Sequence, residues 1–392
     1  MDIKAISTNI GKALLINAFF MLISIAISIY YGFDSAFTPL LISFLVTFIT
    51  GTFPFIFVKK NSATTLQSGF LTIVLAWILS FIFGMLPYVL WGGEFTLINA
   101  WFESVSGYTT TGSTILTEIE ALPKSLLFWR SSTHFIGGLG VIVFLLMILP
   151  DSSPAKLRLT HLELSSLSKE GYRYKTSTIT RVMVTVYIGL TIVETLLLWA
   201  AGMSLFDAVN HAFSTVATGG FSTKNTSVMY FDSTSIDIII TVFMALSAMH
   251  FGVIFAIVAG RSFKPLKHSV TKYYLGIIAV CSIIIAFSLK TQGGYESWGG
   301  ALLDSTFQTV SYLTTTGFGQ ADNAMWPLLA NTILIFAAMH CGCAGSTTGG
   351  IKADRMFIAL KAIHGDFLKR LHPSSLFRTR VGGKVLNDNT VS

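Results

Sequence analysis

Residues Thr309 to Gly319 read Thr-Val-Ser-Tyr-Leu-Thr-Thr-Thr-Gly-Phe-Gly, and Val105 to Thr114 read Val-Ser-Gly-Tyr-Thr-Thr-Thr-Gly-Ser-Thr. With Gly112 set against Gly317, three threonines precede each glycine and a Val-Ser pair stands further upstream in both. A looser copy, Ser214 to Phe221, contains Thr218-Gly219, and here Gly219 is set against the other two glycines. A Thr-Gly step supplies no acid, base or nucleophile. It supplies main-chain and hydroxyl oxygens in a backbone that glycine lets turn sharply and that an ion can approach closely. Rings of such oxygens replace the hydration shell of a cation. The candidate cation ligands are Thr110, Thr111, Gly112, Thr218, Gly219, Thr315, Thr316 and Gly317.

Three copies at a period of roughly 100 residues point to one repeated membrane unit. Composition agrees. The 392 residues are 52% hydrophobic and 11% charged, where a soluble domain carries roughly 25% charge. Helices are expected at 11–31, 36–58, 67–91, 126–149, 178–202, 235–260, 270–290 and 327–360, each long enough to cross the hydrocarbon layer. The first apolar run follows Lys4 and Lys12 and has no small-residue cleavage site, so it reads as a retained span and not a signal peptide. All but four of the 26 Lys and Arg (Lys124, Arg130, Lys224 and Lys290) fall on one side of these spans. The positive-inside rule then puts both termini in the cytoplasm. The net charge of +7 comes from basic loops between apolar runs and does not point to nucleic acid.

The outer connections 91–125, 203–234 and 291–326 are too long for plain loops. Each opens on a short helical pattern, at 97–108, 205–216 and 302–313. About 12 residues cannot span a bilayer. A half-helix that dips in and returns through the Thr-Gly step fits, because irregular backbone at that depth must line water or be buried in protein. The bland alternative is three amphipathic outer loops. The following helices are marked as well, by His134-Phe135-Ile136-Gly137-Gly138, by Met249-His250-Phe251-Gly252, and by His340 through Gly350 with four glycines. In the first two, close packing through small residues competes with a helix break. In the third, the glycines with Ser346-Thr347-Thr348 require an unwound stretch.

Glu194 lies inside a span and reads either as a carboxylate bonded within the bundle or as a proton relay with one of His134, His250 and His340. Cys341-x-Cys343 lacks further clustered ligands, so small residues in a tight turn are favoured over a metal site. Glu103 and Asp207 would add negative potential at the outer mouth. No P-loop, dinucleotide fingerprint or nucleophile motif is present, so no enzyme activity and no bound cofactor are expected.

Thr109-Thr110-Thr111-Gly112, Ala217 to Thr223, Thr314 to Phe318 and Gly342 to Lys352 resemble the signatures of the Trk/Ktr/HKT superfamily of potassium uptake proteins. The helix pair before the first repeat resembles the bacterial Trk-type membrane subunit. The resemblance implies an all-α polytopic membrane protein made of helix–pore loop–helix repeats related to potassium channels. It divides the chain into an N-terminal helix pair (1–60), three pore repeats (61–155, 156–264 and 265–371) and a cytoplasmic tail (372–392) that would lead to a fourth repeat. It implies potassium as transported substrate, a multi-pass location in the cytoplasmic (inner) membrane, a homodimer, and a cytosolic nucleotide-binding regulatory subunit. It makes Gly342, Gly345, Ser346, Thr347, Thr348, Gly349, Gly350 and Lys352 the gate loop of the third repeat. Channel and symport both remain open. In the plant relatives, serine at the Gly112 position accompanies sodium preference. Because a fourth repeat is expected and three are seen, the rival expectation is a truncated, non-conducting protein acting in assembly or regulation.

Overall fold

A computed structural model describes residues 3–58, 66–148, 176–261, 263–292, 294–371, 380–381 and 384–385. The basic positions Lys59, Lys60, Lys156, Arg158, Lys169, Arg173, Lys175 and Arg378, and most of the expected tail, lie outside the described residues. The described chain is helical apart from two paired two-residue strands, β1 (Arg380–Val381) and β2 (Lys384–Val385). The helices are α1 (Ile3–Tyr30), α2 (Phe37–Phe57), α3 (Leu66–Gly84), α4 (Leu86–Trp91), α5 (Leu97–Tyr108), α6 (Lys124–Ile148) and α7 (Thr176–Ala200). They continue as α8 (Leu205–Val216), α9 (Thr234–Ser247), α10 (Phe251–Gly260), α11 (Ser269–Gln292), α12 (Trp298–Leu313), α13 (Leu328–His340) and α14 (Ala353–Leu371). Among the described residues five segments are long and apolar enough to cross a membrane: α1, α2, 67–91, 181–200 and α11. The bent pair α9–α10 adds a sixth if taken as one span.

The chain divides into two compact units. Among the described residues, one comprises those within 3–148, 176–243 and 316–320, the other those within 244–315 and 321–385. In the first unit, the core forms where α1, α2 and α4 meet the first pore helix, α5, and the start of α6. Met21, Leu40, Tyr88, Tyr108, Leu126 and Trp129 are buried together there. Pro87 enters at the start of α4 and interrupts the helical ladder. The Gly84 carbonyl beside the break accepts instead from the Trp129 indole at 3.1 Å. Buried hydroxyls along the spans mostly turn back on their own helix, as Ser43 does to Pro39 and Thr47 to Ser43 at 2.7 Å. This satisfies them where no water is available. Asp34, between α1 and α2, accepts from the backbone and hydroxyl of Ser125 at 3.1 and 2.8 Å, which ties the N-terminal helix pair to the start of α6.

In the second unit, Ile285 and Leu289 of α11 pack with Ala301, Trp326, Ala330 and Leu334, closing α12 and α13 against their preceding span. Two expected helices are broken. The stretch 235–260 bends by 105° between α9 and α10, and 327–360 stops at His340 and resumes at Ala353. The first-repeat helix stays continuous to Ile148. Its glycines serve packing: a Cβ on Gly137 would strike the Tyr108 carbonyl, and one on Gly138 would meet Ala217 at 2.9 Å.

Candidate functional site

Each pore helix begins on a hydroxyl cap. Thr96 accepts from the Asn99 amide, Ser204 from Asp207 and Ser297 from Gly300. Each then ends in the same backbone turn. Thr109, Ala217 and Thr314 donate back to Val105, Phe213 and Val310, and the next residue donates to Gly107, Thr215 and Tyr312. That next residue is a threonine in the left-handed region, Thr110 (φ 53°), Thr218 (φ 54°) and Thr315 (φ 55°). Two residues later a glycine again has positive φ: Gly112 (77°), Gly220 (83°) and Gly317 (82°). In an extended chain successive carbonyls alternate sides. Reversing φ at every second residue flips alternate peptide planes and brings successive carbonyls to one side, as an ion path requires. Three threonines in a region that non-glycine residues seldom occupy mark strain held at one place in each repeat.

This register corrects one pairing. The residue equivalent to Gly112 and Gly317 is Gly220, while Gly219 takes the place of Thr111 and Thr316. The other seven candidate ligands keep their assigned positions. The loops also abut in order within the first unit. A Cβ on Gly112 would strike the Gly219 carbonyl oxygen, and one on Gly220 the Thr316 carbonyl oxygen. A Cβ on Gly317 would meet nothing within 4 Å.

The corrected register exposes a device that sequence reading missed. Nine residues before each of these glycines stands a polar side chain, Glu103, His211 or Gln308, at most 2% exposed. Each holds the segment that follows its own loop. Glu103 accepts from the Thr114 hydroxyl at 3.0 Å and the Ile115 amide at 3.3 Å. His211 bonds the Ser222 hydroxyl at 2.9 Å through Nε2. Gln308 donates to the Ala321 carbonyl at 3.1 Å. Glu103 thus works behind the first loop, in a buried ion pair with Arg130 at 2.5 Å. Asp207 accepts from the Thr223 and Ser204 hydroxyls, both at 2.7 Å.

The three marked histidines do three separate things. His134 stacks on Phe221 with centroids 4.0 Å apart and bonds Ser214 at 3.2 Å, forming the wall behind Gly219. His250 caps α10, accepting from the Gly252 amide at 2.9 Å. His340 donates to the Phe336 carbonyl at 3.0 Å. Glu194 is fully buried, and neither of its carboxylate oxygens has a hydrogen-bond partner among the described residues, a histidine included.

In the second unit the segment 341–352 docks on the break between α9 and α10. Cys343 donates to the Ala248 carbonyl at 2.8 Å, and Phe251 donates to the Gly345 carbonyl at 3.2 Å. The Thr347 hydroxyl reaches the Ser247 carbonyl at 3.3 Å. Two interrupted helices thereby satisfy each other's freed backbone groups. The segment is closed by Ala353 donating to Gly342 at 2.9 Å, by the Asp354 carboxylate on the Ala344 amide at 2.7 Å, and by Lys352 on the Thr348 carbonyl. At its far end the Gly349 amide donates to the Thr315 hydroxyl at 3.2 Å. The glycine-rich loop therefore touches the third Thr-Gly loop directly.

Comparison with known proteins agrees with this architecture. A family model described as TrkH, cation transport protein, matches residues 39–392. The Trk system potassium uptake protein TrkH of Salmonella typhimurium is 35% identical over 297 residues, covering 74% of this chain and 61% of that protein. The TrkH protein of Vibrio parahaemolyticus is 32% identical over 398 residues, covering 100% of this chain and 82% of that one. The crystal structure of the potassium transporter TrkH from Vibrio parahaemolyticus superposes with a TM-score of 0.87 at 31% identity, over 100% of this chain and 81% of that chain.

Proposed function

We propose that this chain, which belongs to the TrkH family of cation transport proteins, takes up potassium across the cytoplasmic membrane. The path runs along the carbonyls and hydroxyls of the Thr-Gly loops, and 341–352 is its gate. The observation that carries this reading is the repeated φ reversal at Thr110/Gly112, Thr218/Gly220 and Thr315/Gly317. A left-handed threonine alone is what a helix C-cap uses, but a second reversal at a glycine two residues later, repeated three times over, suits a row of dehydrating oxygens. The ligand set is Thr110, Thr111, Gly112, Thr218, Gly219, Gly220, Thr315, Thr316 and Gly317. The gate assignment is supported by the bond from Gly349 to Thr315.

The relatives' names supply potassium, and the lysine and arginine asymmetry supports cytoplasmic termini in the inner membrane. α14 supports a cytoplasmic docking role. Leu360, Ile363, Phe367 and Leu371 recur at helical spacing and are exposed, with Lys361 and Arg370 on the same helix. A second copy of the chain and a nucleotide-binding regulatory subunit are the partners this reading expects. The test is growth at low potassium of an uptake-deficient host expressing the chain. Rescue that is lost on Gly112→Leu supports uptake through these loops. Rescue indifferent to that change argues against the path.

A further inference from the structure

Arg130 stands at the junction of two repeats. It lies on α6 and is 2% exposed. Its Nε donates to Glu103 of the first pore helix at 2.5 Å, and its Nη1 donates to the Ser222 carbonyl of the second loop at 3.0 Å. Its guanidinium carbon sits 3.5 Å from the centroid of the Phe221 ring, the same ring on which His134, one turn along α6, is stacked. Phe221 and Ser222 directly follow Gly220.

We propose that Arg130 is a positioning residue for the second Thr-Gly loop, and that its fork between Glu103 and Ser222 sets how well the path discriminates among monovalent cations. The inference rests on the conduction reading above. Three observations converge. Guanidinium is planar and carries several donors in fixed directions, so one side chain can hold a carboxylate and a carbonyl at a set separation. Charge-assisted bonds away from water are short and stiff. Ser222 is also gripped from its other end, since its hydroxyl bonds His211. With Phe221 covered by a cation and an aromatic ring, the two residues after Gly220 have little room to move, and neither has the carbonyl of Gly220. The third loop is held in a comparable way from the preceding repeat. Asp237 of α9 accepts from Gln320 at 3.2 Å, and Ser227 and Met229 bond Gly319. In both cases the span after one loop fixes the next loop.

The test uses the purified full chain and two variants. Arg130→Lys keeps a cation opposite Glu103 but replaces the fork with one ammonium. The double variant Glu103→Gln/Arg130→Gln removes both charges, so no charge is left buried alone. The readouts are the ratio of potassium to sodium concentrations that protect against thermal unfolding, and amide exchange in the three loops. The proposal expects the protection ratio to fall about tenfold in either variant, the scale of one lost charge-assisted bond. Exchange at 220–224 should rise about tenfold while 110–114 stays at the parent level in Arg130→Lys. Parent ratios and parent exchange in a folded Arg130→Lys variant overturn it, as does a uniform rise over all three loops with the ratio unchanged, which marks an ion pair that only stabilises the fold. Should Arg130→Lys not fold, the double variant decides by the same two readouts. If the parent chain shows no preference between the cations, the conduction reading fails, and with it the role in discrimination. The exchange pattern then still reports whether Arg130 holds the second loop.

Discussion

Gly112, Gly220 and Gly317 share a backbone conformation but not an environment, so substitution separates conformation from crowding. Alanine at any of them meets the cost of a left-handed residue, about 1–3 kcal/mol. At Gly112 the new Cβ also runs into the Gly219 carbonyl, a backbone atom that cannot swing aside, whereas at Gly317 it faces open space. Gly112→Ala should therefore lower the potassium to sodium permeability ratio at least fivefold more than Gly317→Ala, read from reversal potentials in mixed solutions. Equal effects would mean that conformation alone matters and that loop-to-loop contact does not. The Thr-Gly steps themselves were legible in the sequence, because glycine and threonine recur at fixed offsets. The second loop was legible only to within one residue. Two consecutive glycines offer two alignments, and the Thr-Gly step picks the first. The signal that selects the second is upstream: Ser106, Ser214 and Ser311 each stand six residues before Gly112, Gly220 and Gly317, and Phe221 then matches Phe318. Hydrogen bonding at the helix end decides which glycine reverses. In the sequence Arg130 is only a basic residue on the less basic side of the spans, since its partners are 27 and 92 positions away.

The elements that matter most are the ones that stop early. Half-helices at 97–108 and 205–216 were readable because 12 apolar-faced residues cannot cross a bilayer, and the third begins four residues sooner, at Trp298. The break before Cys341 was readable from its glycines. At His250 the sequence left a break and close packing open, because Ala-Met-His-Phe-Gly contains no proline and a single glycine. What stabilises that bend is tertiary: the carbonyls freed at Ser247 and Ala248 find donors in Thr347 and Cys343. The coupling is testable from either side. A Cβ on Gly342 would stand 2.6 Å from the Ala248 carbonyl, and such overpacking costs about 1–3 kcal/mol. Gly342→Ala should push the loop off the bend and raise potassium flux several-fold. Thr315→Val removes the acceptor for the Gly349 amide, worth about 1 kcal/mol, and because it also takes a hydroxyl from the ligand set it should raise flux about fivefold while lowering the preference for potassium over sodium. Deleting 346–349 should raise it most and weaken its dependence on a cytosolic regulator. Flux at the parent level in all three well-expressed variants would leave the loop a structural helix break only.

At the scale of the whole molecule, the proposed orientation rests on the asymmetry of charge, and the proposed docking face is the exposed apolar stripe of α14. Arg370→Glu with Arg380→Glu should weaken co-purification of an acidic-faced regulatory subunit at moderate salt while leaving membrane insertion unchanged, as measured by yield in the membrane fraction. Retention of the partner would assign these charges to topology and anionic lipid. The most direct test of the central claim, that the Thr-Gly loops form a path selective for potassium, is ion flux into vesicles containing only the purified chain. The account predicts that potassium enters under a concentration gradient several-fold faster than sodium, and that this preference shrinks in Gly112→Ala. Equal rates for the two ions, or no flux of either above empty vesicles, would contradict it.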